Sequence, residues 1–432
     1  MSLLFKYVQQ FLSFGAVLIL PLFILIIGLV FRMNFWKALK SGIYVGIGLQ
    51  GVTLATNFLI ETVQPVINAF SEVGSGFDFP IIDVGWAAIS AAAWSQPFSA
   101  VILILALALN FCLLKMKFTK TLNVDIWNYW HFIFSASITY YMLLNGTNSH
   151  KIAVAGAIIV GLVCSVIACK IGDVIADKWQ GEFGVKGTTC TTLYFTATFI
   201  PINWIVNKIM DHIPGVDKFD IDTKTVREKL GPIGEPSIFA FIVGIFMAAI
   251  ARQGVGDMLK VGMGVSASII LLPKMVEALT EGITPLSEAA QDVLKKKLGE
   301  DQKFYLGMDI MLRVGDPTAI TASLLLIPIT VGIALIFPGN GFFPTATLGS
   351  LIYITALGAM DSEGKLLRTM IMGICFVIWH LTVLNLLADL CTMVMNSSGV
   401  LELAAGTKTA SFGLDNVVNL IIGLIGKALK FY

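Results

Sequence analysis

No charged residue interrupts the chain from Phe11 to Phe31. Crossing about 30 Å of hydrocarbon takes roughly 20 apolar residues at about 1.5 Å of helix rise each, and this stretch supplies them. It is not read as a secretory signal, because its apolar part is too long, no small-x-small cleavage site follows it and Pro21 breaks its middle. Composition extends the argument to the whole length: of 432 residues, 56% are hydrophobic and 13% charged, and the mean hydropathy is +0.83. A chain like this folds in a bilayer. The 29 Lys and Arg are balanced by 28 Asp and Glu, which leaves neither a basic surplus to hold nucleic acid nor an acidic arm to stay disordered. Cys112, Cys164, Cys169, Cys190, Cys375 and Cys391 stand singly among apolar residues. They form no C-x-x-C or Cys/His group, so no disulfide framework, metal site or cofactor is expected.

Further charge-poor stretches lie at about 41–60, 98–114, 126–146, 152–169, 187–207, 236–251, 257–273, 317–337, 343–360, 369–394 and 413–431. Short cytoplasmic loops retain Lys and Arg during insertion, so the basic residues set the topology. With the N-terminus outside, the inner side receives Arg32, Lys37 and Lys40; Lys115 to Lys120; Lys170, Lys178 and Lys186; the 206–235 loop; Lys295 to Lys297; Lys365 and Arg368; and Lys427 and Lys430. That is most of the 29 basic residues. The assignment requires that Gly187 to Asn207 not cross fully. This stretch carries Thr188, Thr189, Thr191, Thr192, Thr196 and Thr198 and is broken by Pro201, which suits a re-entrant segment lining protein. The expected fold is an all-α integral membrane protein of about eleven transmembrane helices, with the C-terminus cytoplasmic.

Residues 86–97 (WAAISAAAWSQP) are uncharged and small, but a helix of that length rises only roughly 18 Å and cannot span. They are read as a re-entrant hairpin after Asp83, with a long apolar run behind Pro97. The plan recurs at GMDIMLRVGDP, near 306–317, with Asp309 in front and Pro317 at the end. The first span runs inward and the sixth outward, so the chain divides into two inverted five-span repeats, each with a hairpin. They cover 1–206 and 236–395, separated by a cytoplasmic loop over 207–235 and followed by a C-terminal segment, 396–432, with the last span. Paired interrupted segments in inverted halves are where transporters place substrate near the midplane.

A polar cluster lies where lipid would make it costly. NVDIWNYWHFIFSAS puts Asp125, Asn128, His131 and Ser135 within about three turns, the last three on one helix face. Trp86, Trp94, Trp127 and Trp130 add flat apolar surfaces. Amides, carboxylates and an imidazole beside indoles fit the hydroxyls and C–H edges of a sugar or polyol. An interfacial aromatic belt also accounts for the tryptophans alone. Asp309, Arg313 and Asp316 form a charged group at the second hairpin, and His380, among apolar neighbours, reads as structural.

Several of these strings resemble the membrane-embedded IIC component of the galactitol-type sugar phosphotransferase permeases, in the ascorbate and galactitol superfamily. The similar stretches include PLFILIIGLVFRM, GIGLQG, DVGWAAISAAAWSQ, LNVDIWNYWH, IPGVDKF, REKLGPIGEP, GMDIML and SLLLIPITVGIALIFPGN, in order from about residue 15 to 360. The resemblance implies a homodimer in the plasma (inner) membrane of a bacterium that carries a sugar alcohol inward. A phosphocysteine on a separate IIB subunit, recharged by IIA, then phosphorylates it. It also implies a substrate site drawn from Ser95, Gln96, His131, Ser135, Asp309 and Asp316, with Gln50 and Glu235 as weaker candidates, and the polar face read above adds Asn128 to it. Asp316 and Glu235 are the implied candidates for handling the substrate hydroxyl during transfer. Two stretches depart from the galactitol-type pattern: Val185, Lys186, Gly187 and Thr188 stand where Pro-His-Gly-Thr is usual, and Gly315 and Asp316 where Gly-His is usual. Both exchange an imidazole for a different charge. An ion- or proton-coupled polyol symporter is the alternative, since His131, Asp309 and Asp316 are titratable groups of the kind such a cycle uses.

Overall fold

A computed structural model describes residues 16–74, 76–216, 235–298, 303–401, 403 and 406–432. Most of the loop expected over 207–235 lies outside the described residues. In chain order the elements are α1 (Ala16–Val30), α2 (Phe35–Gly74), β1 (Ile81–Asp83), α3 (Gly85–Trp94), α4 (Ser99–Lys115), β2 (Thr121–Asn123), α5 (Trp130–Thr147), α6 (His150–Phe183), β3 (Thr188–Cys190) and α7 (Leu193–Asp211). They continue with α8 (Pro236–Ile250), α9 (Val255–Leu298), β4 (Tyr305–Met308), α10 (Pro317–Ile336), α11 (Thr345–Asp361), α12 (Leu366–Ser398), β5 (Lys408–Ala410) and α13 (Val417–Ala428). Among the described residues five helices, α2, α6, α9, α10 and α12, are long and apolar enough to cross a membrane, and α3 with α4 makes a sixth if that pair, bent by 86°, counts as one broken span. The protein is an all-helical integral membrane protein.

Helices α1, α2, α8 and α9 pack as one unit. Lipid tails give apolar helices no reason to leave them, so association depends on close packing over small residues. A Cβ on Gly48 or Gly51 of α2 would come within 2.5 Å of Leu279 or 2.3 Å of Met275 on α9. The reverse fit is as tight, Gly264 of α9 against Thr62 and Gly282 against the Ser41 carbonyl. The turn between α1 and α2 places Arg32 at φ 60°, and the turn between α8 and α9 places Arg252 at φ 56°. In each turn a backbone N–H closes five residues back, Met33 to Gly28 at 2.9 Å and Gln253 to Ala248 at 3.0 Å.

The remaining elements surround two small parallel sheets. β4 lies between β2 and β3, with Thr121 opposite Tyr305 and Thr188 opposite Leu306. β1 pairs with β5 on one side and bridges Phe342 through Ile81 on the other. Extended backbone inside a membrane protein must find its partners in protein. Here the ladders supply some of them and polar side chains the rest. Asp173 accepts from the hydroxyls of Thr119 and Thr121 and from the Lys120 N–H, and Asn110 donates to the Thr121 carbonyl at 2.9 Å while accepting from the Asn123 N–H at 2.9 Å. All six threonines of the 187–207 stretch are buried.

Three expectations change. α2 runs 40 residues without a break through Pro65, so the helix extends well beyond the charge-poor stretch 41–60. The two hairpins are built differently: α3 is a helix that bends sharply into α4, while the 306–317 segment is strand β4 followed by a single 3-10 turn, Ile310–Arg313. α13 has 12 residues, a rise of roughly 18 Å, so the last expected span, 413–431, is helical over only part of its length.

Candidate functional site

Each strand of the β2–β4–β3 sheet ends by delivering polar side chains to one place. After β2 the chain turns because Asn123 Oδ1 accepts from the Asp125 N–H at 3.0 Å. Asn128, on the 3-10 turn Trp127–Tyr129, then donates to both Asp125 oxygens at 3.1 and 2.9 Å and accepts from the Trp130 indole at 3.2 Å. After β4, Asp309 caps the Ile310–Arg313 turn through the Met311 N–H at 3.1 Å. After β3, the Thr192 hydroxyl lies 3.3 Å from Asp125 and 3.4 Å from Asp309, and it accepts from the Ile310 N–H at 3.0 Å. Parallel pairing therefore fixes three loop starts against one another, and the polar groups inherit that rigidity.

Above this node lies a cavity of about 260 Å³. Asn128, His131 and Asp309 line it together with Trp86, Trp127 and Trp130; Phe195, Tyr353 and Phe412 complete the aromatic wall, and Thr53, Thr56 and Asn57 of α2 line it too. His131 is 2% exposed, yet neither ring nitrogen has a hydrogen-bond partner among the described residues, and the buried Thr56 hydroxyl has none there either. A buried polar group left unpaired costs about 1–3 kcal/mol. Two such groups lining one cavity indicate a ligand that supplies both donors and acceptors.

His380 shows what a closed histidine site looks like in the same molecule. Its Nδ1 lies 2.8 Å from Asp415 and its Nε2 3.1 Å from the Thr347 hydroxyl, which in turn donates to Asp83 at 2.9 Å; Tyr194 occupies the other Asp415 oxygen at 2.7 Å. Every group in that chain is paired, as the structural reading of His380 requires.

The sequence candidates divide accordingly. Asn128, His131 and Asp309 come together at the cavity. Ser95 and Gln96 do not line it: Ser95 donates to the Ala92 carbonyl at 2.9 Å, and Gln96 donates to the same carbonyl at 3.0 Å and accepts from the Tyr141 hydroxyl at 3.0 Å. Ser135 is fully buried one turn beyond His131, against Asn416 at 3.4 Å. The single face expected for Asn128, His131 and Ser135 is broken because α5 begins only at Trp130, after the 3-10 turn. Gln50 is exposed on α2, turned away from the cavity that Leu49 and Thr53 reach. Glu235 is exposed at the N-cap of α8. Asp316 caps α10 through Thr318 and Ala319 N–H groups at 2.9 and 3.1 Å and pairs with Arg313 at 3.2 Å. Thr53, Thr56 and Asn57 were not expected, although their spacing of three and one on a charge-poor helix is a signal the sequence carries.

A cavity of hydroxyl-binding groups among helices agrees with what the whole chain matches. The family model described as "PTS system sugar-specific permease component" covers residues 10–406. The chain belongs to this family. Among curated relatives, the permease is 28% identical over 407 residues to the PTS system galactitol-specific EIIC component of Escherichia coli strain K12, covering 94% of this chain and 87% of that one. The galactitol-specific component of Escherichia coli O157:H7 matches equally. A putative permease IIC component of strain K12 is also 28% identical, over 430 residues, 98% of the permease and 95% of the relative. The permease is thus a bacterial membrane protein of the sugar phosphotransferase system.

Proposed function

We propose that the permease binds a sugar alcohol, galactitol or a close relative, in the cavity beneath Trp86, Trp127 and Trp130. It carries the polyol inward and presents it to a phosphocysteine on a separate IIB subunit, which IIA recharges. The observation that carries this reading is His131, buried in that cavity with both ring nitrogens unpaired. A polyol presents hydroxyls that both donate and accept, along a backbone of C–H edges. Hydroxyls meet His131, Asn128, Asp309 and Thr56, while the C–H edges lie on indole faces. The relatives named for galactitol support the choice of polyol. A symporter coupled to ions draws no support from the family assignment.

Repeats of inverted topology are part of the same proposal, and the element series supports them. α6 and α12 have 34 and 33 residues, and Pro65 and Pro285 each stand at the thirty-first residue of α2 and α9. Each sheet takes its central strand from one half and its flanks from the other. We further propose eleven crossings, an outside N-terminus, a cytoplasmic C-terminus and a homodimer. Positive-inside counting supports the orientation, and family resemblance supports the dimer.

For the transfer step we propose Asp316. An ionised carboxylate offers about four acceptor directions; two N–H groups and Arg313 occupy three of them, which leaves one for a hydroxyl. Glu235, exposed at the start of α8, is the second candidate. The test is equilibrium binding of radiolabelled galactitol to purified permease, together with its phosphorylation by membranes supplemented with IIA and IIB. Binding that competing polyols displace, lost in His131→Ala, is expected; absence of binding by every polyol overturns the reading.

A further inference from the structure

A second cavity, of about 380 Å³, lies between α9 and the turn that leads into α10, where Pro273, Val276, Glu277, Thr280, Arg313 and Asp316 line it. Its position on α9 repeats that of the first cavity on α2. Pro65 and Pro285 each stand at the thirty-first residue of their helix. Thr53, Thr56 and Asn57, which face the first cavity, precede Pro65 by twelve, nine and eight residues. Pro273, Val276 and Glu277, which face the second, precede Pro285 by the same intervals. Corresponding faces of two matched helices thus border one cavity each.

Between the two cavities is a void of only about 20 Å³ with walls that include Ile24, Val45, Leu279 and Leu312. It shares Leu49, Asp309 and Met311 with the first cavity and Leu312 with the second. The three spaces form one series, with a narrow, mainly apolar neck in the middle that Asp125 and Asp309 also border.

The second cavity also has a recognisable chemistry. Arg313 is 7% exposed; one terminal nitrogen donates to the Glu182 carbonyl at 2.8 Å and the other reaches Asp316 at 3.2 Å, but its Nε has no partner. Glu277 lines the same cavity; it is exposed, and its carboxylate makes no hydrogen bond or ion pair with any described residue. A buried donor and a solvent-facing acceptor lining one space suit a group that does both, which is a hydroxyl. An anion would be repelled by Glu182, Glu277 and Asp316 together, and a cation would meet Arg313. A neutral polyhydroxy compound satisfies both sides.

We infer that this cavity is a second station for the same polyol, reached from the first past the neck of Ile24, Val45, Leu279 and Leu312, with Glu277 and Arg313 as its hydroxyl partners. The inference rests on the reading of the permease as a polyol carrier. The full-length permease carrying Thr280→Cys is treated with a bulky maleimide, and the parent treated identically serves as control, because exposed Cys112 reacts in both. Binding of radiolabelled galactitol is expected to stay within about twofold of the control, while donor-dependent phosphorylation falls by about tenfold or more. Glu277→Gln needs no labelling and reads the same step: binding is retained and the phosphorylation rate drops about fivefold or more. An unchanged rate in Glu277→Gln, or in fully modified Thr280→Cys, overturns the second station and leaves the carrier reading intact. Parallel loss of binding and rate in both variants also overturns it, since the residues then belong to the first site or to the fold. A parent that binds no galactitol or other polyol overturns the carrier reading itself, and the station with it.

Discussion

The Tyr141 hydroxyl donates to Oε1 of Gln96 at 3.0 Å and so ties α5 to the bend between α3 and α4. Gln96 spends its amide N–H on the Ala92 carbonyl at 3.0 Å, and both ends of the side chain are therefore engaged in holding that bend. Gln96→Ala and Tyr141→Phe are expected to destabilise the permease by about 1 kcal/mol each, the usual net worth of such a bond, and to act non-additively because they remove the same contact. Thermal unfolding in detergent measures the loss. Galactitol affinity is expected to hold within about twofold, a change under about 0.5 kcal/mol; a larger drop in Gln96→Ala alone would return this residue to the binding site.

The two buried histidines separate function from packing. His131→Ala removes groups that have no protein partner, so its folding cost is small and its cost appears in ligand affinity, about 1–3 kcal/mol. His380→Ala leaves Asp415, which is 0% exposed, with only its Tyr194 contact on the side-chain oxygens. Breaking one side of a buried pair costs about 3–5 kcal/mol. The expected pattern is a stable His131 variant that binds weakly and a poorly folded His380 variant. Equal behaviour of the two in unfolding and binding assays would remove the distinction.

Much of this is legible in the chain, and the failures have identifiable causes. The absence of charge over α1 and α10, and over the runs 152–169 within α6 and 369–388 within α12, makes them visible, because lipid imposes one requirement on every residue of a span. Asp125, Asn128, His131 and Asp309 stand out for the same reason, being polar where polarity is costly. Strands of three or four residues such as β2 and β4 leave no periodicity to read, since their pairing depends on partners more than 60 positions away. Gln96 and Ser135 enter the expected site through the family resemblance, and the sequence does not show that Tyr141 and Asn416 hydrogen-bond to them. Thr56 went unread for the opposite reason, as a hydroxyl on a long helix is commonly satisfied by its own backbone, and only the cavity reveals that this one is not.

Orientation has its own test. Positive-inside counting puts the 206–235 loop and the C-terminus on the cytoplasmic side. A single cysteine introduced at position 222 and another after Tyr432 are expected to be shielded from an impermeant thiol reagent in intact cells and labelled after permeabilisation, with the Cys112 background subtracted. Opposite accessibility of the two positions would require an odd number of crossings between them, and the eleven-span proposal would fail.

Asp316 offers the sharpest test of the chemistry. A hydroxyl that attacks a phosphocysteine must give up its proton, and a carboxylate within hydrogen-bond reach can accept it or hold the oxygen in line. Asp316 faces the second cavity at the start of α10, where Pro317 fixes the backbone behind it. Its structural duties are also defined: one oxygen caps the helix and the other pairs with Arg313 at 3.2 Å. Asp316→Asn separates these roles, because Asn caps a helix about as well as Asp while losing both the charge and the base. Folding is therefore expected to survive with a loss of about 1–2 kcal/mol from the weakened partly buried ion pair. Galactitol binding at the distant first cavity should stay within about twofold, and donor-dependent phosphorylation should fall by about a hundredfold, the lower range for losing a general base. Asp316→Glu restores a carboxylate at the cost of reach and is expected to recover part of the rate. If Arg313→Gln added to Asp316→Asn restores phosphorylation, the defect came from an unpaired guanidinium, and Asp316 is a structural partner of Arg313 with no part in the transfer.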